Sequence, residues 1–460
     1  MMGSKSLPWL LISAFGYFIP YALIVAQYTR QYGHKSGTIY DWLKDSLSPQ
    51  AAFVTVFLWY CSYFTWMVSL FMKLLIPISI LFCGQDVSSQ LRWLQLPTQF
   101  WLSIFAIAAV LLMTFLISRG FQTIVSFLKI SSWAMAGLFF LSLVNNLLVI
   151  HLQPDQFWAN LKNSFAAPTF FAGSGEHFFT QLPFFIFSIT AFGGLDTVAS
   201  LADRTKDSRQ RFPKAVIYST GMIALLYFSG ILLWSGAMNL DSLRQLKDTH
   251  LGNLMYHLMG SSARQLSSFL DLSPKTTGFI EQIYIRYTAF TMLAAYLSLL
   301  SSILYGPLKS LLKGTPTAIW PTRWLQLNRQ QMPVRALWLQ ASLVALTILF
   351  LAWNQPFLAN LYNQLTYMTN VARAIPYLIV ASSFPFFLKK KVVPPEQLLI
   401  EPYSINVGFS LSVCCCIFFA IGFQIYEPLR VGDYLNASTL LLGPATFSLF
   451  AFWLFKRAEL

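Results

Sequence analysis

One apolar run in this chain is interrupted by residues that an ordinary membrane helix does not carry at its centre. Pro183 to Ala202 reads PFFIFSITAFGGLDTVASLA, and most of 178–202 is apolar enough to cross a bilayer. In its middle stand Phe192, Gly193, Gly194, Leu195 and Asp196. Paired glycines weaken a helix. A carboxylate near the bilayer midplane costs roughly 2.5–3.5 kcal/mol on insertion scales. Lipid tolerates irregular backbone only where protein or a water-filled cavity satisfies its N–H and C=O groups. Two half-helices meeting at mid-membrane, with their ends turned to a solute, meet that requirement. The sequence therefore predicts a break at 192–196. A basic loop follows from Asp203 to Lys214, with Pro213 expected at the start of the next helix.

The rest of the chain sets this break in a membrane. Charged residues make up 10% of the 460 positions and hydrophobic ones 56%, whereas a soluble domain carries about 25% charged residues. Apolar segments long enough to span fall at 7–29, 51–82, 98–118, 121–152, 178–203, 212–238, 279–306, 334–353, 357–387, 404–426 and 435–455. The expected fold is all-α, a polytopic helical membrane bundle of about eleven helices in one domain over 1–460. Arg119-Gly120 makes a tight hairpin between two spans. The connection 239–277 reads as polar, with an amphipathic stretch near Leu251–Met259, and 309–335 as a surface segment. The net charge of +14 would suggest nucleic acid in a soluble protein. Here it lies in short loops, so the partner it implies is the lipid bilayer. Most of the 31 lysines and arginines fall on the side that carries 204–214, which places the C-terminus in the cytoplasm. Lys389-Lys390-Lys391 belongs to that bias. An odd number of spans then puts the N-terminus outside, and the expectation is that one helix preceding Leu7 is missing from this chain.

Several function classes drop out. No Walker-type loop, metal-ligand cluster or Ser/His/Asp set is present, so neither ATP-driven pumping nor hydrolysis is supported, and no metal or cofactor is called for. The five cysteines, Cys61, Cys83 and Cys414-Cys415-Cys416, show no disulfide or metal spacing and read as small packing residues. The five histidines are read as loop residues, which also argues against an intramembrane enzyme.

The candidate site residues follow from chemistry and spacing. Asp196 is the sharpest. Apolar surroundings favour a protonated carboxyl, which would couple a solute to H⁺, while the start of a second half-helix favours the ion. The two effects oppose. Otherwise Asp196 is a cap facing a water-filled vestibule. Gly193 and Gly194 permit unwinding or, alternatively, close helix packing. Trp59, Ser62, Tyr63 and Trp66 lie at i, i+3, i+4 and i+7, one helical face that lines either a pocket or a packed interface. Lys73, Arg286 and Arg373 are basic residues within spans. Long basic side chains commonly snorkel, and the alternative is that one faces the solute. Arg373 lies deep in its span near Asn370, placed to favour an acidic solute or to pair with Asp196.

These residues carry a resemblance. Phe192-Gly193-Gly194-Leu195-Asp196, with the loop to Pro213, resembles the sixth helix and following loop of amino acid permeases of the amino acid–polyamine–organocation (APC) superfamily. Gly37-Thr38-Ile39-Tyr40-Asp41-Trp42 resembles the segment after their second helix. Trp59 to Ser69, Gly314 to Pro321 and Leu365 to Val371 are similar to the glutamate/GABA-antiporter-like branch, and within it to the YjeM-type permeases. The resemblance covers about Leu7 to the C-terminus. It implies a LeuT-type inverted-repeat bundle of family helices 2–12. In that division 7–152 is the remainder of the first repeat, 178–387 the second, and 404–455 two C-terminal helices. The family's first helix, whose glycine-rich break holds the substrate carboxylate, has no counterpart here. Phe192 takes a gate position, and Lys129 resembles a lysine that replaces a sodium ion in some relatives, although it also reads as an ordinary cytoplasmic-end lysine. Asp196 stands for the usual Glu, Asp207-Ser208 for Asn-Pro, and Gln27 for a Glu. At 373 relatives carry small or apolar residues.

The function expected is secondary active transport of an amino acid or close derivative across the cell membrane, by proton symport or exchange. The solute would meet Phe192, Gly193, Gly194, Leu195, Asp196, Trp59, Ser62, Tyr63, Asn370 and Arg373, with Asp196, Lys129 and Arg286 in proton coupling. The alternative is a truncated remnant that does not transport and serves as a membrane partner. Oligomeric state is left open.

Overall fold

The computed structural model describes residues 7–88, 98–166, 184–238, 253–353, 355–390 and 398–459, with backbone alone over 355–368. The sequence expectations at 178–183, Leu251 and Lys391, and the side chains of Leu365–Met368, lie outside these residues. Among the described residues the fold is all helix, with no strand.

In chain order the helices are α1 (Leu7–Tyr32), α2 (Ile39–Lys44), α3 (Pro49–Lys73), α4 (Leu75–Cys83), α5 (Thr98–Ser118), α6 (Phe121–Leu152), α7 (Pro154–Ala166), α8 (Phe184–Ala191) and α9 (Leu195–Ala199). They continue as α10 (Ser208–Ala237), α11 (Leu254–Phe269), α12 (Pro274–Gly314), α13 (Thr322–Leu325), α14 (Val334–Trp353), α15 (Gln355–Lys389), α16 (Tyr403–Arg430) and α17 (Tyr434–Glu459). Among the described residues, ten helices are long and apolar enough to cross a membrane, α3 and α4 counting as one. The remaining apolar segment is the two-piece α8–α9.

Prolines shape the bundle. Pro77 has no N–H to offer the carbonyl one turn back, and the helix from Pro49 to Cys83 is interrupted at Leu74. In α1, Pro20 frees the carbonyl of Gly16 in the same way. A π-helical turn over Ser13–Phe18 precedes it, and the Ser412 hydroxyl of α16 donates to Gly16 O at 2.8 Å. The carbonyl that proline strands in apolar surroundings is thus satisfied by a neighbouring helix, as the absence of water demands.

Around these, α10 packs along α1, α15 lies against α3 and α16, and α12 reaches α3, α4, α6 and α11. The core between α1, α2 and α15 is aromatic: Tyr28 stacks on Trp42 at 5.1 Å and meets Phe387 at 4.6 Å. The Arg119–Gly120 hairpin closes with Gly120 at φ 135°. The amphipathic stretch forms α11, whose apolar face meets Leu138 of α6 and Tyr284 of α12. Two readings are corrected. The basic loop ends at Asp207, so Arg209 and Arg211 form the first turn of α10, with Arg211 reaching back to Asp207 at 3.3 Å, and Pro213 falls inside the helix. Two of the histidines read as loop residues lie in helices, His151 in the last turn of α6 and His257 in α11.

Candidate functional site at the helix break

The break between α8 and α9 follows from its residues. After Ala191 the chain tightens: Phe192 N–H bonds Ile189 O and Gly193 N–H bonds Thr190 O, each at 3.1 Å. Gly194 then takes φ 110°, in the left-handed region where a side chain is penalised. Its helical hydrogen bonding resumes with Val198 N–H on Gly194 O at 3.0 Å. Gly193 serves differently, since a Cβ there would sit 3.1 Å from Thr190 O and 3.6 Å from the Tyr377 hydroxyl. The carbonyl of Ala191 at the open end accepts from Tyr227 of α10 at 3.2 Å.

Asp196 stands in the first turn of α9 and is 0% exposed. Trp59 and Tyr63 of α3, one turn apart, turn the same face to it. Trp59 Nε1 donates to Asp196 Oδ2, and Tyr63 donates to the same oxygen at 3.1 Å. Thr197 donates to the Tyr63 hydroxyl at 2.6 Å, and the Tyr377 hydroxyl of α15 is 3.4 Å from it. Around Tyr377 the rings of Tyr21 and Tyr17 stand at 5.3 and 6.3 Å. This buried polar cluster is not internally closed. Asp196 Oδ1 and the hydroxyls of Tyr17 and Tyr21 are buried without a partner, where most buried polar atoms have one. Phe192 closes one side, stacked on Phe18 at 4.6 Å and against Tyr227 at 5.1 Å.

The other expected residues divide. Leu195 is buried at the start of α9, and Asn370 and Arg373 are buried on α15. The guanidinium of Arg373 lies 4.3 Å from the ring centroid of Trp66. Ser62 is buried, with its hydroxyl donating to Trp59 O at 2.7 Å inside its own helix. Lys129 is exposed on α6. Arg286 is exposed on α12 and donates to Leu81 O at 3.3 Å, and Lys73 is half-buried at the end of α3. Neither Lys129 nor Arg286 forms an ion pair with Asp196. Arg373 and Asp196 do not form an ion pair with each other. Tyr17, Tyr21, Thr197 and Tyr377 were not singled out from the sequence. Tyr17 and Tyr21 are spaced i, i+4 on one face of α1, a signal that was present but is common in packed membrane helices.

Beyond the break the chain is fastened to α12. Lys309 is 1% exposed and pairs with Asp203 at 2.5 Å, and it also donates to Ser200 O at the end of α9. Ser36 holds the other oxygen of Asp203 at 3.0 Å, Thr38 meets Ser310 at 2.9 Å, and Gly37 lies directly against Gly314. Three segments are thereby joined at one end of the bundle.

The comparisons with known proteins agree with this architecture. A family model described as amino acid permease matches residues 1–445. The chain is 31% identical over 460 residues to the inner membrane transporter YjeM of Salmonella typhimurium, covering 99% of this chain and 91% of that protein. It is 31% identical over 459 residues to the protein of the same name from Escherichia coli, with the same coverage. A more distant relative is the aspartate/glutamate permease AcaP of Lactococcus lactis, 22% identical over 387 residues, 82% of this chain and 72% of that one. A multi-pass helical chain with a broken span, matched from end to end by such transporters, belongs to the amino acid permease family of the APC superfamily.

Proposed function

We propose that this protein moves an amino acid across the membrane by alternating access around the 192–196 break, coupled to a proton or to exchange of a second amino acid. The observation that carries this is the set of unpartnered atoms beside the break: Asp196 Oδ1, Tyr17 Oη and Tyr21 Oη, all buried. A carboxylate with one oxygen held and the other open accepts an ammonium group. Phenolic hydroxyls supply donors or acceptors to the rest of a small polar solute. Trp59 and Tyr63 orient the carboxylate, so Asp196 enters the encounter already positioned. Its placement also makes it the group to carry a coupling proton. Passage of the solute toward the Lys309 end requires the contacts of Asp203, Thr38 and Gly37 with α12, and that of Ser36 with Asp203, to separate.

The test is uptake and counterflow of labelled amino acids in proteoliposomes, with and without an imposed pH gradient. Saturable transport of at least one amino acid is expected, abolished in Asp196→Asn. If a proton is coupled, the gradient drives accumulation; if exchange operates, internal amino acid is required and the gradient is not. No saturable uptake or counterflow across a broad panel would refute the reading.

A further inference from the structure

Four charged side chains are buried among the described residues: Asp41, Asp196, Lys309 and Arg373. Asp41 pairs with Lys44 at 2.8 Å and Lys309 with Asp203 at 2.5 Å. Asp196 receives neutral donors from Trp59 and Tyr63. Arg373 is in a different position. It is 6% exposed, no carboxylate among the described residues pairs with it, and its Nε has no acceptor. What its guanidinium meets is the face of Trp66. A cation–π contact offsets part of the cost of removing that charge from water, but a buried cation is ordinarily matched by an anion.

Two helices fix where this cation sits relative to Asp196. On α15, Arg373 is four residues before Tyr377, so both lie on one face. On α3, Trp66 follows Tyr63 by three residues, and their rings stand at 5.9 Å. Tyr63 and Tyr377 are the residues at the level of Asp196. Both helices therefore set Arg373 about one turn, ~5 Å along the bundle, from the carboxylate. Asp196 and Arg373 thus lie one level apart and form no ion pair with each other. A solute with separate positive and negative groups compensates both.

We propose that Arg373 is the carboxylate anchor of the solute site and sets its specificity: solutes bearing a carboxylate are accepted, while amides, amino alcohols and polyamines are discriminated against. This rests on the carrier reading of the break, with Asp196 taking the ammonium. Arginine suits the task because its planar fork matches two carboxylate oxygens and holds its charge at any physiological pH. The Trp66 face holds the guanidinium in place before the solute arrives.

The experiment measures binding to the full chain in nanodiscs by ligand-induced thermal shift and by competition against one labelled ligand, using matched pairs. One arm compares alanine with alaninamide and leucine with leucinamide, which removes the α-carboxylate. The second compares aspartate with asparagine and glutamate with glutamine, which removes the side-chain carboxylate. The protein is expected to prefer the acid over its amide by roughly 10- to 100-fold in one arm, and that arm identifies the carboxylate Arg373 holds. In Arg373→Gln the preference falls toward unity. Arg373→Lys, which keeps the charge and loses the fork, retains part of it and covers the case in which Arg373→Gln does not fold. A preference unchanged in these variants overturns the assignment and leaves the carrier reading standing. Failure of every amino acid to bind the unaltered chain overturns both.

Discussion

Replacing Lys309 tests how the half-helix that carries Asp196 is held. Lys309 and Asp203 are 1% and 11% exposed, and the ammonium also takes the carbonyl of Ser200. Breaking a buried pair by removing one partner costs about 3–5 kcal/mol, because the other charge is left uncompensated. Lys309→Met leaves Asp203 with the Ser36 hydroxyl and some access to water, so its cost falls near the lower end, about 3 kcal/mol. Asp203→Asn strands the more deeply buried ion and should cost nearer 5 kcal/mol. The double variant Lys309→Met/Asp203→Leu removes both charges and is expected to lie close to the unaltered protein, above either single. Thermal unfolding in one detergent, followed by intrinsic fluorescence, gives the order: unaltered chain highest, then the double, then Lys309→Met, with Asp203→Asn lowest. An additive double, no more stable than the sum of the singles, would refute the reasoning, since coupling between the two sites is its whole content.

Other expectations follow from single contacts. Gly194→Ala forces a Cβ into φ 110° with open space around it, so it should lower stability by about 1–2 kcal/mol through backbone strain alone; an unchanged melting midpoint would count against the break as described. Ser412→Ala removes the donor to Gly16 O and should cost about 1–3 kcal/mol, whereas Ser412→Thr, which keeps the hydroxyl, should recover most of it. His34, outside the spans, has its pKa lowered from 6.5 by desolvation and by Arg209, whose guanidinium lies 3.0 Å from Nδ1. The sign follows: above its unfolded pKa both states are neutral, and as pH falls below about 6.5 the unfolded chain takes the proton more readily. Stability therefore drops over that range, and His34→Gln should flatten this part of the pH–melting profile.

Much of the bundle could be read from hydropathy because lipid leaves few alternatives to helices that satisfy their own backbone. The break was legible for the same reason, as Gly193, Gly194 and Asp196 are residues that lipid-exposed helices exclude. The partners of Asp196 were half legible. Trp59 and Tyr63 share a face, and their polar tips are needed only if something polar lies opposite. Tyr17, Tyr21 and Tyr377 sit on other helices, and aromatic residues in membrane helices carry no signal that separates a site from packing. The role of Lys309 was not legible, because sequence places it near a helix end and cannot show that its ammonium turns inward to Ser200. Arg286 and Lys129 are basic residues within predicted spans, and sequence alone does not show that both are exposed. The start of α10 was misread because the proline at 213 looked like a boundary, and the exposed Arg211–Asp207 pairing that extends the helix to Ser208 lies in a segment whose composition reads as loop.

The break also raises a question of persistence, since five residues are too few to hold a helix by their own hydrogen bonds. Nucleation fixes several dihedrals for each bond gained, and isolated helices below about 12 residues are marginal even in favourable sequences. The α9 segment survives because its ends are held from outside. Trp59 and Tyr63 grip Asp196 in the first turn, Lys309 takes the carbonyl of Ser200 at the last, and Ser200 itself rests against Gly306, where a larger residue would collide. Tyr227 caps the open end of α8. These restraints come from three different helices: Trp59 and Tyr63 from α3, Lys309 and Gly306 from α12, and Tyr227 from α10. A displacement of α12 relative to α3 therefore cannot leave the geometry at Asp196 unchanged. It must release either the carboxylate or the carbonyl at the other end of the same short helix. On the carrier reading proposed above, that coupling would give α9 two arrangements, the physical requirement for a site that opens to one side of the membrane at a time.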